Sequence, residues 1–392
     1  MEFAFSEEER LLQWAVSDFA KKELAAQELH RSSHVPQKII ENMGKLGFLG
    51  LKAPEEYGGG GGTWIEVGIL AEEIAKANIA VAHLITRSYE INLILARYGT
   101  ERVKTKWLAS MAKGHKVGCI AATEPASGSD IVGLKTSAFR DNDSYRVSGE
   151  KVPISFGMQA DFGLVFAKTD RYARSNGVSA FLVPLDLPGI TKAGIKNMGL
   201  QGSAVASIVF DEVKIPTEYK LGEEGEGFHI HASLGPYSSL SHILSGIISM
   251  GACQEALNLA VSYSKKRFAF GRPLAKFQGI SGKIAEDVTL VEAGRWLCYR
   301  ALWLKEQHLP HAKEAAMCRW WCPKVGYDVI KHALIIHGHS GYCDDLPLER
   351  MLRDITAFRI IGGSDQLMKL IIAHKTIGTI AVPDDYVPYM GD

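Results

Sequence analysis

With 392 residues, 46% of them hydrophobic and 22% charged, the chain has a globular composition and is too long for one comfortable core, so two or three packed units are expected. Its 44 basic residues balance its 44 acidic ones. The densest basic run, Lys265-Lys266-Arg267, is short, which argues against nucleic-acid binding.

No stretch reaches the roughly 18 unbroken apolar residues of a membrane span. The acidic residues 1–9 lack a signal-peptide pattern, so the expected location is the cytoplasm. Cys119, Cys253, Cys298, Cys318, Cys322 and Cys343 are scattered, with no second pair at metal spacing. They read as reduced core thiols, with no metal site.

Residues 1–116 read as helical. Over 7–24, Leu11, Leu12, Trp14, Ala15, Val16 and Phe19 recur at helical spacing, and Ser6 with Glu9 forms a capping-box pattern. The glycine run 58–62 lacks the lysine-serine or lysine-threonine of a phosphate loop and reads as a turn. From 117 to 225 the period falls to two, with strands near 144–147, 162–166, 178–183 and 204–215 that predict a small antiparallel β domain. From 226 to 392 the chain turns helical again near 239–268, 279–306 and 312–337, with Ile284, Val288, Val291 and Cys298 on one predicted buried face. The expected class is α+β: an N-terminal helical domain, a middle antiparallel β domain and a C-terminal four-helix bundle.

The segment from Gly118 to Asp130 contains Thr123-Glu124-Pro125-Ala126-Ser127-Gly128-Ser129-Asp130. It resembles the TEPxxGSD run of the acyl-CoA dehydrogenase family. Gly149-Glu150-Lys151 with Ile154-Ser155 resembles that family's GxKxWIT strand, with Pro153 in place of the tryptophan. Arg267-Phe268-Ala269-Phe270-Gly271 with Gln278 resembles RxxFG…Q, Gly338-His339-Ser340-Gly341-Tyr342 resembles GGxGY, and Leu352-Arg353-Asp354 matches a later landmark. The resemblance spans nearly the whole chain and implies an FAD enzyme acting on acyl-CoA thioesters, a homotetramer, with electron-transfer flavoprotein as electron acceptor. It further implies that Ile120, Ala122, Thr123, Ser129 and Ser155 line the flavin, Ser129 also lying near pantetheine. Arg267, Phe270, Gln278, Gly338, Ser364 and Gln366 are implied as further cofactor contacts. A guanidinium fork such as that of Arg267 suits a diphosphate.

Relatives carry a glutamate base at one of two positions, which fall here on Gly362 and Ser241, the latter followed by His242 where arginine is usual. Neither glycine nor serine is a carboxylate base. Asp365 lies between Ser364 and Gln366, on the cofactor side. His242 titrates near neutrality if accessible and otherwise packs between helices. Glu90, in a helix that the resemblance assigns to the acyl pocket, is the favoured base, since burial would raise its pKa toward a useful range. The bland alternative is a Glu90 that faces solvent or pairs with Arg87, three residues back.

Arg87, Ser129, Ser241, His242 and Gly362 are read as substrate-binding. A base at position 90 suits proton removal from the γ-carbon of an already conjugated thioester. This resembles the branch acting on cyclohex-1-ene-1-carboxyl-CoA, with Glu90 in place of an aspartate. Alternatives are a desulfinase-like flavoprotein, a dehydrogenase of carrier-protein thioesters, and a non-enzymatic flavin-binding scaffold.

Overall fold

The computed structural model describes residues 4–24, 32–234 and 239–381. The chain opens with helix Glu7–Phe19, capped as expected: Glu9 N–H donates to Ser6 Oγ at 3.1 Å and Ser6 N–H to Glu9 Oε2 at 2.8 Å. Helices Gln37–Lys45, Trp64–Ala77 and Ile79–Tyr98 follow. The glycine run is a turn whose amides are used internally: Gly60 N–H donates to Gly50 and Gly62 N–H to Leu51. Gly59 must be glycine, because a Cβ would stand 1.6 Å from the Ala53 carbonyl.

Eight strands form the middle sheet: β1 Gly118–Ala121, β2 Ser137–Asp141, β3 Ser144–Ile154, β4 Phe162–Lys168, β5 Val178–Pro184, β6 Ile190–Gly194, β7 Ala206–Pro216 and β8 Lys220–Leu221. Their order is β6-β7-β3-β2-β4-β5-β8, with β1 beside β4. The sheet is mixed, which corrects the purely antiparallel expectation. The chain enters on β1 and returns to β1's neighbour only after the β2–β3 hairpin, so β1 and β4 run parallel, as do β2 and β4.

Helices Leu240–Lys266, Gln278–Glu306 and Ala312–His337 dominate the C-terminal part, followed by Leu348–Ala357 and Asp365–Ile377. Helix Leu240–Lys266 alone among the described residues is long and apolar enough to cross a membrane, yet it is largely buried against helices Trp64–Ala77, Gln278–Glu306 and Ala312–His337. One continuous apolar core joins the N- and C-terminal helices, and the β domain has its own. Glu72 links the two helical parts, accepting from Arg295 Nε at 2.7 Å and Tyr299 OH at 2.6 Å. Five cysteines are buried free thiols, but Cys343 is only partly buried. Val291 and Cys298 face the core as expected, whereas Val288 is 48% exposed, because none of the described elements covers that side of its helix.

Candidate functional site

Helix Ile79–Tyr98 starts at Asn78, whose side chain accepts from Val81 N–H at 3.1 Å. Leu84, Ile85, Ile91 and Leu95 are buried apolar contacts. His83, Arg87 and Glu90, at spacings of four and three, lie on one stripe of this helix. His83 sits against the rings of Phe156, just past Ser155, and Phe358, just before Gly362. The end of β3 and the Gly362 turn are thereby brought to the face that carries Glu90.

Glu90 is 2% exposed, and its Oε2 accepts from Arg87 Nη1 at 2.6 Å. The Ser241 hydroxyl also donates to this carboxyl. Burial raises its pKa; Arg87 and the Ser241 hydrogen bond offset this in part. Pairing with Arg87, expected for an inert surface glutamate, thus coexists with burial. The serine at one vacated base position lies within hydrogen-bond reach of the carboxylate at position 90.

Gly362, the other vacated position, and Gly363 have φ of 73° and 115°, which glycine alone adopts without strain. Their turn is held from beneath. His242 Nε2 lies 3.2 Å from the Gly362 carbonyl, which can only accept, so Nε2 carries the proton. Burial and Arg319 lower the His242 pKa to about 3, so the ring is neutral near pH 7. Arg319, 1% exposed on helix Ala312–His337, donates from Nη1 to the Phe358 carbonyl and from Nη2 to the Gly363 carbonyl at 3.2 Å. Burial brings its pKa down to about 10, so it stays charged. Asp365, the other carboxylate considered as a base, accepts from Arg359 Nη2 at 3.1 Å.

The segment after β1 is fastened to β3. Lys151, fully buried, donates to the Ala122 carbonyl at 3.0 Å and to Glu124 Oε1 at 2.8 Å. Glu124 also accepts from the Lys135 and Thr136 amides at 2.6 and 3.0 Å, and Val152 N–H donates to the Thr123 carbonyl at 2.9 Å. Ala122 is buried, while Ile120, Thr123 and Ser155 are partly open and Ser129 is exposed. Arg267, Phe270, Gln278 and Gly338 all lie exposed on the C-terminal part, with Phe270 at 95%. Ser364 caps helix Asp365–Ile377 by accepting from Leu367 N–H, and Gln366 is exposed.

These groups suit FAD: uncharged hydroxyls at Thr123, Ser129 and Ser155 match a flavin's carbonyls and ring nitrogens, and the open Arg267 guanidinium matches a diphosphate. Three residues that matter here escaped the sequence reading: Arg319, His83 and the role of Lys151. The one signal for Arg319 was an arginine on a helix face whose other members, Ala315, Ala316, Cys318 and Cys322, are core residues.

The models for the N-terminal, middle and C-terminal domains of acyl-CoA dehydrogenases match residues 6–115, 119–213 and 240–377. An acyl-CoA dehydrogenase of Bacillus subtilis is 36% identical over 95% of this chain and 99% of its own length. The mitochondrial short-chain specific acyl-CoA dehydrogenase of Bos taurus is 35% identical over 94% of this chain and 89% of its own length. The structure of butyryl-CoA dehydrogenase from Megasphaera elsdenii superposes with a TM-score of 0.92 at 32% identity, over 96% of this chain and 100% of that one. With the three domains in order over nearly its full length, the chain belongs to the acyl-CoA dehydrogenase family, FAD-dependent oxidoreductases acting on CH–CH bonds of acyl thioesters.

Proposed function

We propose that Glu90 is the general base of this acyl-thioester oxidation, displaced from the two positions occupied in relatives. The observation that carries this reading is a buried carboxyl of raised pKa that touches Ser241, one of those positions. In the ionised form Glu90 takes a proton from the acyl group; in the ground state Arg87 and Ser241 hold it oriented. FAD, when bound, supplies the hydride acceptor. Its contacts in this proposal are Ile120, Ala122, Thr123, Ser129, Ser155, Ser364 and Gln366 from one chain and Arg267, Phe270, Gln278 and Gly338 toward a neighbouring subunit of a homotetramer. Arg87, Ser129, Ser241, His242 and Gly362 border the acyl thioester.

The substrate we favour is a cyclic enoyl-CoA such as cyclohex-1-ene-1-carboxyl-CoA. Conjugation extends acidity to the γ-carbon, and both arms of the ring return to the same α-carbon. The γ-proton goes to Glu90, a hydride leaves the other arm, and a conjugated diene results. Electron-transfer flavoprotein would reoxidise the enzyme in the cytoplasm.

The test is anaerobic bleaching of the FAD-loaded protein by a panel of acyl-CoAs, for wild type and Glu90→Gln. Bleaching by cyclohex-1-ene-1-carboxyl-CoA but not butyryl-CoA, lost in the variant, is expected. Bleaching by butyryl-CoA that still depends on Glu90 would keep the base and discard the cyclic substrate. Bleaching indifferent to Glu90, or none with any thioester, would overturn the assignment and favour the desulfinase or carrier-protein readings.

A further inference from the structure

Of the nine non-glycine residues with left-handed φ among the described ones, three meet in one buried network: Phe156 at 64°, Leu200 at 51° and Ala204 at 43°. Bulky side chains seldom take this conformation, and it persists only where the surroundings impose it. Phe156 N–H donates to the Ser203 carbonyl at 2.5 Å, and Met158 N–H donates to the Ala204 carbonyl at 3.0 Å. The 200–204 loop closes on itself, with Ser203 N–H donating to the Leu200 carbonyl at 2.9 Å. Helix Leu348–Ala357 fastens it from outside. Leu200 N–H donates to Asp354 Oδ1 at 2.5 Å, and Arg353 Nη1 donates to the Met198 carbonyl at 2.7 Å. Gly199 permits this approach, since a Cβ there would stand 2.5 Å from the Arg353 carbonyl oxygen. At its other end the network reaches the site. Phe156 directly follows Ser155, so whatever fixes its backbone also fixes the strand end that carries the Ser155 hydroxyl. The Phe156 ring meets His83 edge-on, on the helix of Arg87 and Glu90.

We propose that Asp354 is a positioning residue for the flavin: by anchoring the 200–204 loop it holds Phe156 in its left-handed turn and so aims the Ser155 hydroxyl at the ring. This rests on reading Ser155 as a flavin contact. Asp354 is itself buried and acts through Leu200, Ser203 and Phe156 in turn. What the loop requires at position 354 is an oxygen acceptor. Asparagine supplies one, whereas alanine leaves the Leu200 N–H buried without its partner, and the loop is then free to relax from its strained φ.

The test is a double-mutant cycle on the FAD-loaded enzyme, read as the rate of FAD release on dilution, by the rise of flavin fluorescence, and as the absorption spectrum of the bound flavin. Ser155→Ala is expected to speed release about fivefold, the net effect of one lost hydrogen bond, and to shift the flavin bands. Asp354→Ala should do both to a similar degree and Asp354→Asn neither. Asp354→Ala combined with Ser155→Ala should release FAD no faster than either single variant, since the hydroxyl is already lost. A merely structural Asp354 would lower the melting temperature while its effect on release multiplied with that of Ser155→Ala, to about 25-fold, and this would overturn the proposal. Phe156→Gly probes the other end of the network, because glycine permits the left-handed backbone without holding it there. It too should add nothing to Ser155→Ala, and it decides the question if Asp354→Ala does not fold. A Ser155→Ala variant with unchanged release and spectrum would end both the flavin-contact reading and this inference, whereas additive effects on an effective Ser155→Ala end the inference alone. Neither result bears on Glu90, which is read from flavin reduction by acyl-CoA.

Discussion

Two buried cation–carboxylate pairs flank the site, and they are built to opposite ends. Lys151–Glu124, under the flavin-side loop, is saturated. Burial alone would raise the Glu124 pKa, but Lys151 and the Lys135 and Thr136 amides outweigh it and hold the carboxyl below its usual range. Arg87–Glu90 has one guanidinium contact and one hydroxyl, too few to offset burial, so that carboxyl is pushed up. The same pairing fastens two strands in one place and leaves a group able to exchange a proton in the other. Glu124 has more donors around its carboxyl and also lies less deep than Glu90, and both differences separate the two.

The largest effects should come from breaking each pair, and they should differ in kind. Glu90→Gln is expected to lower kcat by about 10²- to 10⁴-fold, the range of a lost general base. It should leave FAD content and the melting temperature nearly unchanged, since Arg87, with 19% of its side chain exposed, can turn to water. Lys151→Met strands Glu124 with no water to take over, because Lys151 is fully buried. It should cost about 3–5 kcal/mol of stability, with FAD lost on desalting, as checked by thermal melting and by the visible spectrum of the purified protein. Equal stability losses in the two variants would erase the distinction.

A further buried carboxyl, that of Asp354, is shifted in the same direction as Glu90. Asp354 accepts from Leu200 N–H at 2.5 Å, with Arg350 and Arg353 nearby, and burial raises its pKa to about 6. The folded state therefore holds this proton to higher pH than the unfolded chain. Its stabilising contribution is complete below the usual aspartate range and is lost as pH rises through about 6, some 3 kcal/mol at most. Asp354→Asn keeps an oxygen acceptor for Leu200 and removes the titration. Melting followed from pH 4.5 to 7.5 should fall less steeply in the variant than in wild type; parallel curves would mean that Asp354 is not proton-linked.

How much of this was readable in advance follows the range of each interaction. The helices, the capping box at Ser6 and the order helix, sheet, helix depend on neighbours a few residues apart, and periodicity reveals them. The direction of β1 depends on which strand it meets 44 residues later (Gly118 beside Phe162), so the mixed sheet was not visible. Glu90 could be found as an anomaly, a charge in a helix that the resemblance assigns to the acyl pocket. Its contact with Ser241 could not, because helices Ile79–Tyr98 and Leu240–Lys266 meet only through the tertiary fold. Lys151 was legible as part of a motif, but its partner Glu124 lies on another segment 27 residues away. Arg319 had no local meaning at all, since the carbonyls it holds belong to a turn some 40 residues downstream.

The smaller predictions tune the Glu90 pair without breaking it. Arg87 and Ser241 both pull its pKa down against burial, Arg87 the more strongly. A base must be ionised to act, so removing either should move the acid limb of the kcat/KM profile to higher pH. Arg87→Met should give the larger shift. Ser241→Ala should shift it in the same direction by less, because a neutral hydroxyl contributes a dipole where the guanidinium contributes a full charge. The order of the two shifts matters more than either size. If Ser241→Ala moved the limb further than Arg87→Met, the hydroxyl at the vacated base position would be the main support of Glu90. The comparison with Lys151–Glu124 would then rest on a hydrogen bond and not on an ion pair.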